Sequence, residues 1–215
     1  MQLESWIQIA AICLLGAMSP GPSLAIVATN TITNGRMYGV FTSLGHGVGI
    51  GVWALLTAVG IAKVIASNSV ISLSLQSLGA LLIAYVGYMT ITNRAWNLRM
   101  ERHYQTNNSK KLMKGASEGF LISIFNPKIA LFFVAIFSHF VSSEYNVPEI
   151  ILMGSTAALI DAMWYILIAI VLTTSGLGTF LERQGSNISL ISGVALILIA
   201  IYLASQVLRH LIDTT

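Results

Sequence analysis

Stretches of about twenty or more mainly apolar residues recur six times along this chain, near 6 to 29, 39 to 66, 70 to 92, 117 to 141, 148 to 174 and 187 to 208. That is the length a helix needs to cross a hydrocarbon core roughly 30 Å thick. Of 215 residues, 55% are hydrophobic and 9% charged, too few polar groups to cover a water-soluble domain. The expected fold is therefore all-α: an integral membrane protein with six transmembrane helices. The start, MQLESWIQ, has no basic segment ahead of the first apolar run, so that run reads as a span rather than a cleaved signal.

Charge sets the direction. The loop 93–116 carries Arg94, Arg99, Arg102, Lys110, Lys111 and Lys114, and the positive-inside bias places it in the cytoplasm. By alternation Arg36 and Arg183 also fall inside, Glu144 and Glu149 fall outside, and both termini are external. The net charge of +3, concentrated around one loop, fits a cytoplasmic membrane face rather than a nucleic-acid partner.

Two spans are interrupted by proline, at Pro20-Gly21-Pro22 and at Asn126-Pro127. Each ring removes an amide donor and frees the carbonyl four residues back, those of Gly16, Met18 and Ser123. Hydrocarbon cannot satisfy such groups, so breaks at mid-membrane belong against protein or a wet cavity. Asn126 is a favoured N-cap and Pro127 a favoured first helical residue, so a half-helix is expected to start there with its positive end at the midplane. Ser19 or Gly21 would serve the first break in the same way. The bland reading is a pair of kinks filled by neighbouring side chains.

The breaks also fall in matching places. Spans one to three (about 1–92) and four to six (about 117–215) share a broken first helix and a second helix bearing Trp53 or Trp164. In the third helix, aligning Gly79 with Gly193 places Tyr88 against Tyr202. Three spans per half require the halves to enter the membrane in opposite senses, the 3+3 inverted repeat of secondary transporters. Two half-helix ends would then meet at one site suited to an anionic group.

Ionisable residues at mid-membrane are costly, about 2.5–3.5 kcal/mol on insertion scales. Lys128 and Asp161 sit there, either as a structural ion pair or as receivers of a substrate carboxylate and of a substrate ammonium or coupling proton. His46 lies within Gly45-His46-Gly47-Val48-Gly49-Ile50-Gly51, and because an unperturbed imidazole changes charge near neutrality this residue type suits a proton relay, though a buried histidine on a backbone carbonyl explains it equally well. The glycines at spacing four allow close helix approach, within one chain or at a homo-oligomer seam. Glu118 beside Lys114 reads as a surface interaction.

Several chemistries are disfavoured. The single cysteine, Cys13, rules out an internal disulfide or a CxxC relay. The four histidines are scattered, so no metal set is visible. There is no nucleotide-binding loop and no hydrolase motif, so neither a cofactor nor an enzyme is indicated.

Ser19-Pro20-Gly21-Pro22, then Asn34-Gly35-Arg36-Met37-Tyr38-Gly39, and Gly119-Phe120 leading to Asn126-Pro127-Lys128 together resemble the LysE/RhtB family of bacterial amino-acid exporters. The resemblance covers essentially the whole chain. It implies a multi-pass protein of the bacterial cytoplasmic (inner) membrane that exports amino acids or close derivatives, driven by the proton gradient. Ser23 stands where the family pattern often has Asn or Asp, and His46 belongs to none of these motifs. The expected substrate site comprises Ser19, Pro20, Gly21, Pro22, Ser23, Asn126, Pro127, Lys128 and Asp161, with Asp161 and His46 as proton-coupling candidates. With one cation and one anion at mid-membrane, a small neutral amino acid fits better than a dicationic one. The rival reading is a passive small-solute channel or a non-transporting membrane scaffold.

Overall fold

Proline at the first position of a helix loses only an amide that has no intrahelical acceptor anyway. Two of the eight helices among the described residues begin in this way, at Pro22 and Pro127. The computed structural model describes residues 3–19, 21–67, 69–92, 109–141, 146–174 and 177–213. In chain order the helices are α1 (Leu3–Met18), α2 (Pro22–Asn34), α3 (Arg36–Ser67), α4 (Ser69–Thr92), α5 (Ser109–Ile124), α6 (Pro127–Phe140), α7 (Val147–Thr173) and α8 (Leu177–Asp213). Among the described residues there is no strand, so the all-α expectation holds.

α3, α7 and α8 each contain a stretch long and apolar enough to cross a membrane: Arg36–Gly60, Val147–Thr173 and Ser189–Arg209. The pairs α1–α2 and α5–α6, bent by 61° and 60°, raise the number to five if each is one broken span. The apolar part of α4, Gln76–Thr92, falls just short of that length. Pro20, the loop 93–108 with Arg94, Arg99 and Arg102, and Glu144 lie outside the described residues, as do the side chains of Lys63 and Arg183.

The distribution of residues is that of a protein in lipid. Leu81, Met163, Leu198 and Ile201 are 61–68% exposed, while Asp161, His46, Ser19, Ser23, Asn126 and Thr90 are buried. Apolar side chains facing outward are stable against acyl chains, and polar ones must find partners inside.

The interior is held by close backbone approach rather than by large side chains alone. A Cβ on Gly45 would lie 1.9 Å from the Ala116 carbonyl oxygen, and one on Gly119 would lie 1.9 Å from that of Thr42, so α3 and α5 are in backbone contact. The other glycine row of α3 meets α7: a Cβ on Gly47 would reach Ala162 at 2.8 Å. The small residues thus serve packing within one chain. α4 lies against α8 and α6, and α1 against α7. Around these contacts Ile9, Ile83, Phe133, Ile136, Met153 and Leu196 form the main core, and Leu24, Val27, Tyr165 and Ile168 a smaller one between α2 and α7.

At the turn from α2 to α3, Gly35 has φ 93°, a conformation that L side chains rarely adopt, so glycine is required there. α7 opens with a capping box: Asn146 accepts from the Glu149 amide at 3.2 Å and Glu149 accepts from the Asn146 amide at 3.1 Å.

Candidate functional site

The second break is locally complete. Asn126, with extended backbone, accepts a hydrogen bond from the Lys128 amide at 3.0 Å, and Pro127 occupies the first turn. The preceding helix end is satisfied too, because the Trp53 indole donates to the Ile124 carbonyl at 3.1 Å. The first break is different. α2 starts at Pro22 after Gly21, whose φ of 176° is extended, and no side chain among the described residues caps it. Of the two caps considered for this break, Gly21 holds the position, with no side chain to fill it.

Both breaks face one cavity, which holds ≈ 530 Å³ of empty space including its open mouth. Ser19, Gly21, Pro22, Ser23, His46, Asn126, Lys128 and Asp161 all line it. Apolar walls come from Cys13, Ile50, Ile129, Phe132, Phe133 and Ala157. An apolar pocket with a few convergent polar groups is the usual form of a small-molecule site.

Two polar groupings divide the cavity. Lys128, on the first turn of α6, donates from Nζ to Ser19 Oγ, and Ser19 in turn bonds Thr90 of α4. A Cβ on Gly21 would lie 3.7 Å from Lys128 Nζ, which places the ammonium beside the uncapped start of α2. Asn126 Nδ2 donates to Ser23 Oγ at 3.3 Å, tying the two breaks together.

The other grouping lies between α3 and α7. His46 Nδ1 and Asp161 Oδ2 are 2.6 Å apart, and Tyr165 stacks edge-on to the imidazole with ring centroids 5.0 Å apart. The close packing of Gly47 on Ala162 brings the two helices this near. His46 Nε2 is buried with no hydrogen-bond partner among the described residues. Asp161 therefore contacts His46 and Lys128 donates to Ser19, and both charged side chains line the one cavity.

Sequence reasoning missed three features. Tyr165 follows Asp161 by four residues and so shares its helix face, a spacing that would have found it. Thr90 carried no such signal, being one hydroxyl in an apolar span. Glu118 does more than meet Lys114 at 3.9 Å: it accepts from Asn30 Nδ2 at 2.8 Å and from the Tyr38 hydroxyl at 3.2 Å, joining α2, α3 and α5. No group of three or more metal-ligating side chains occurs among the described residues.

Comparison with known proteins adds a lineage to this geometry. The family model described as LysE type translocator matches residues 14–207. An uncharacterised membrane protein of Bacillus subtilis, YrhP, is 24% identical over 79% of this chain and 82% of its own. The threonine efflux protein of Escherichia coli is 22% identical over 66% of this chain and 69% of its own. That of Salmonella typhi is 24% identical over 63% and 66%. No solved structure matches.

Proposed function

The chain belongs to the LysE type translocator family, a multi-pass membrane protein of bacterial type, and on that premise we propose that it exports amino acids across the cytoplasmic membrane. The observation that carries the reading is one cavity lined by both a cationic and an anionic side chain, Lys128 and Asp161, with different hydrogen-bond partners. A substrate carboxylate is received between Lys128 Nζ and the open amides at the start of α2, where the helix dipole adds to the ammonium. The substrate ammonium faces Asp161. A zwitterion satisfies both ends, and its small side chain meets Phe132, Phe133 and Ile50. The relatives named for threonine efflux support a small neutral amino acid as cargo.

Transport proceeds by alternating access between two inverted halves, residues 1–92 and 117–215, in a six-span protein with external termini. In that scheme α4 is the third span and each bent pair is one span. The third helices of the two halves pack directly on each other, since a Cβ on Gly87 would meet the Gly193 carbonyl oxygen at 2.8 Å and one on Gly193 that of Gly87 at 2.7 Å, a contact that pairs Gly193 with Gly87 rather than with Gly79. The His46–Asp161 pair carries the coupling proton, a reading supported by the 2.6 Å contact between the two side chains and by their place in the cavity lining.

Inverted membrane vesicles test the whole reading. Uptake of labelled amino acids is expected to be saturable and to fall when the proton gradient is collapsed; a linear flux insensitive to the gradient identifies a channel instead. Asp161→Asn is expected to insert normally and to lose gradient-driven uptake. Full transport by the inserted variant removes Asp161 from the mechanism.

A further inference from the structure

The polar chain that starts at Lys128 has a direction fixed by chemistry. Its far end is the Val86 carbonyl, which can only accept, and Thr90 Oγ1 donates to it at 2.7 Å. Thr90 has a single hydroxyl proton, and that contact uses it. In the Ser19–Thr90 bond, Thr90 is therefore the acceptor and Ser19 the donor. The near end is an ammonium, which can only donate, so Ser19 accepts from Lys128 and gives its own proton to Thr90. All four groups point one way: Lys128 to Ser19 to Thr90 to the Val86 carbonyl.

We infer that Thr90 is a positioning residue for the substrate site: through Ser19 it holds the Lys128 ammonium beside the open start of α2. The inference rests on the carboxylate-binding reading of that site. Thr90 is buried and is not among the residues lining the cavity, so it acts on substrate through Lys128. Ser19, at the break between α1 and α2, joins Lys128 of α6 to Thr90 of α4, so the cation's position refers to three separate segments. It also follows that Ser19 has no proton to offer a substrate. Its role in the site is to accept from Lys128.

The substitution that isolates this role is Thr90→Val, which keeps the branched shape and removes the acceptor. In inverted vesicles supplied with the twenty labelled amino acids, kinetics are followed for the one taken up fastest by the wild type. Thr90→Val is expected to raise KM up to about tenfold, the upper end of the scale for a lost hydrogen bond between two neutral groups, with kcat within about twofold. Thr90→Ser, which restores the hydroxyl, returns KM to the wild-type value. Adding Thr90→Val to Ser19→Ala raises KM no further than Ser19→Ala alone, because both break the same chain. An unchanged KM in Thr90→Val, a fall in kcat alone, or an additive double variant overturns the inference. Should Thr90→Val not accumulate in the membrane, Thr90→Ala takes its place in the same cycle. A wild-type chain without saturable uptake removes the site reading and the inference with it, whereas a transporting wild type whose Thr90 variants keep their KM removes the inference alone.

Discussion

The two helix breaks look alike in sequence and differ in what they leave unsatisfied. At Asn126-Pro127 the chain supplies its own partners: the Asn126 side chain caps α6 and Trp53 closes the end of α5. At Ser19 to Pro22 the cap position is a glycine, and Ser19 is committed to Lys128 and Thr90. The first break thus leaves the start of α2 without a side-chain cap among the described residues, with Gly21, Pro22 and Ser23 on the cavity wall, while the second has a capped helix start that carries Lys128 to Ser19. A broken helix is a binding device only where its freed groups remain unfilled. In the proposed inverted repeat the two ends share one site, where the first would receive the substrate and the second would position Lys128.

The contrast makes Lys128 the residue whose loss costs most. Lys128→Met keeps the length and apolar stem but leaves a desolvated substrate carboxylate without its cation. Breaking a buried charge pair by removing one partner costs about 3–5 kcal/mol, so kcat/KM for uptake is expected to fall at least about a hundredfold. The measurement is vesicle uptake normalised to inserted protein. A variant that retains a tenth or more of the wild-type kcat/KM would mean that the open start of α2 binds the carboxylate without help.

The first break can be made to resemble the second by Gly21→Asp. The extended backbone at Gly21 accepts any residue, and a side chain there starts 3.7 Å from Lys128 Nζ. The new carboxylate would cap α2 and pair with Lys128, occupying the place assigned to the substrate. A KM raised about tenfold or more is expected, together with a thermal stability in detergent that rises slightly, since Asp exceeds Gly as a cap by only a few tenths of a kcal/mol. If KM stays at the wild-type value, substrate does not bind at this helix end.

What the sequence disclosed and what it withheld divide along the same physical line. Helical stretches and their interruptions follow from runs of apolar residues and from proline, both local properties, and the broken pairs α1–α2 and α5–α6 lie where Pro22 and Pro127 put them. Partnerships are not local. The Lys128–Ser19 and His46–Asp161 contacts join residues 109 and 115 positions apart. The second depends on how closely α3 packs on α7, which the glycine spacing hints at without naming the neighbour, and the first on how α6 meets the break between α1 and α2. A lone lysine and a lone aspartate at mid-span invite pairing with each other. The backbone instead gives each a polar partner of its own. The intrinsic asymmetry of the breaks, a side-chain cap at one and glycine at the other, was visible in the residues Asn126 and Gly21, but only the shared cavity gives it meaning.

The smallest effect is expected at the second break, and it separates structure from binding most cleanly. Asn126→Ala removes the cap on α6 and the hydrogen bond to Ser23 together, whereas Asn126→Ser keeps a cap oxygen and loses the reach to Ser23. Cap loss costs about 1 kcal/mol. The unfolding midpoint in detergent should therefore fall for Asn126→Ala and recover largely in Asn126→Ser. KM for uptake should stay within about threefold in both, because the group Asn126 satisfies is a backbone amide and not the substrate. A KM shift in Asn126→Ala as large as that of Gly21→Asp would make the second break a substrate contact in its own right, and the two ends would then be equivalent in function despite their different caps. A shift common to both Asn126 variants would point instead to the Ser23 bond, through which the finished helix start holds the open one in register.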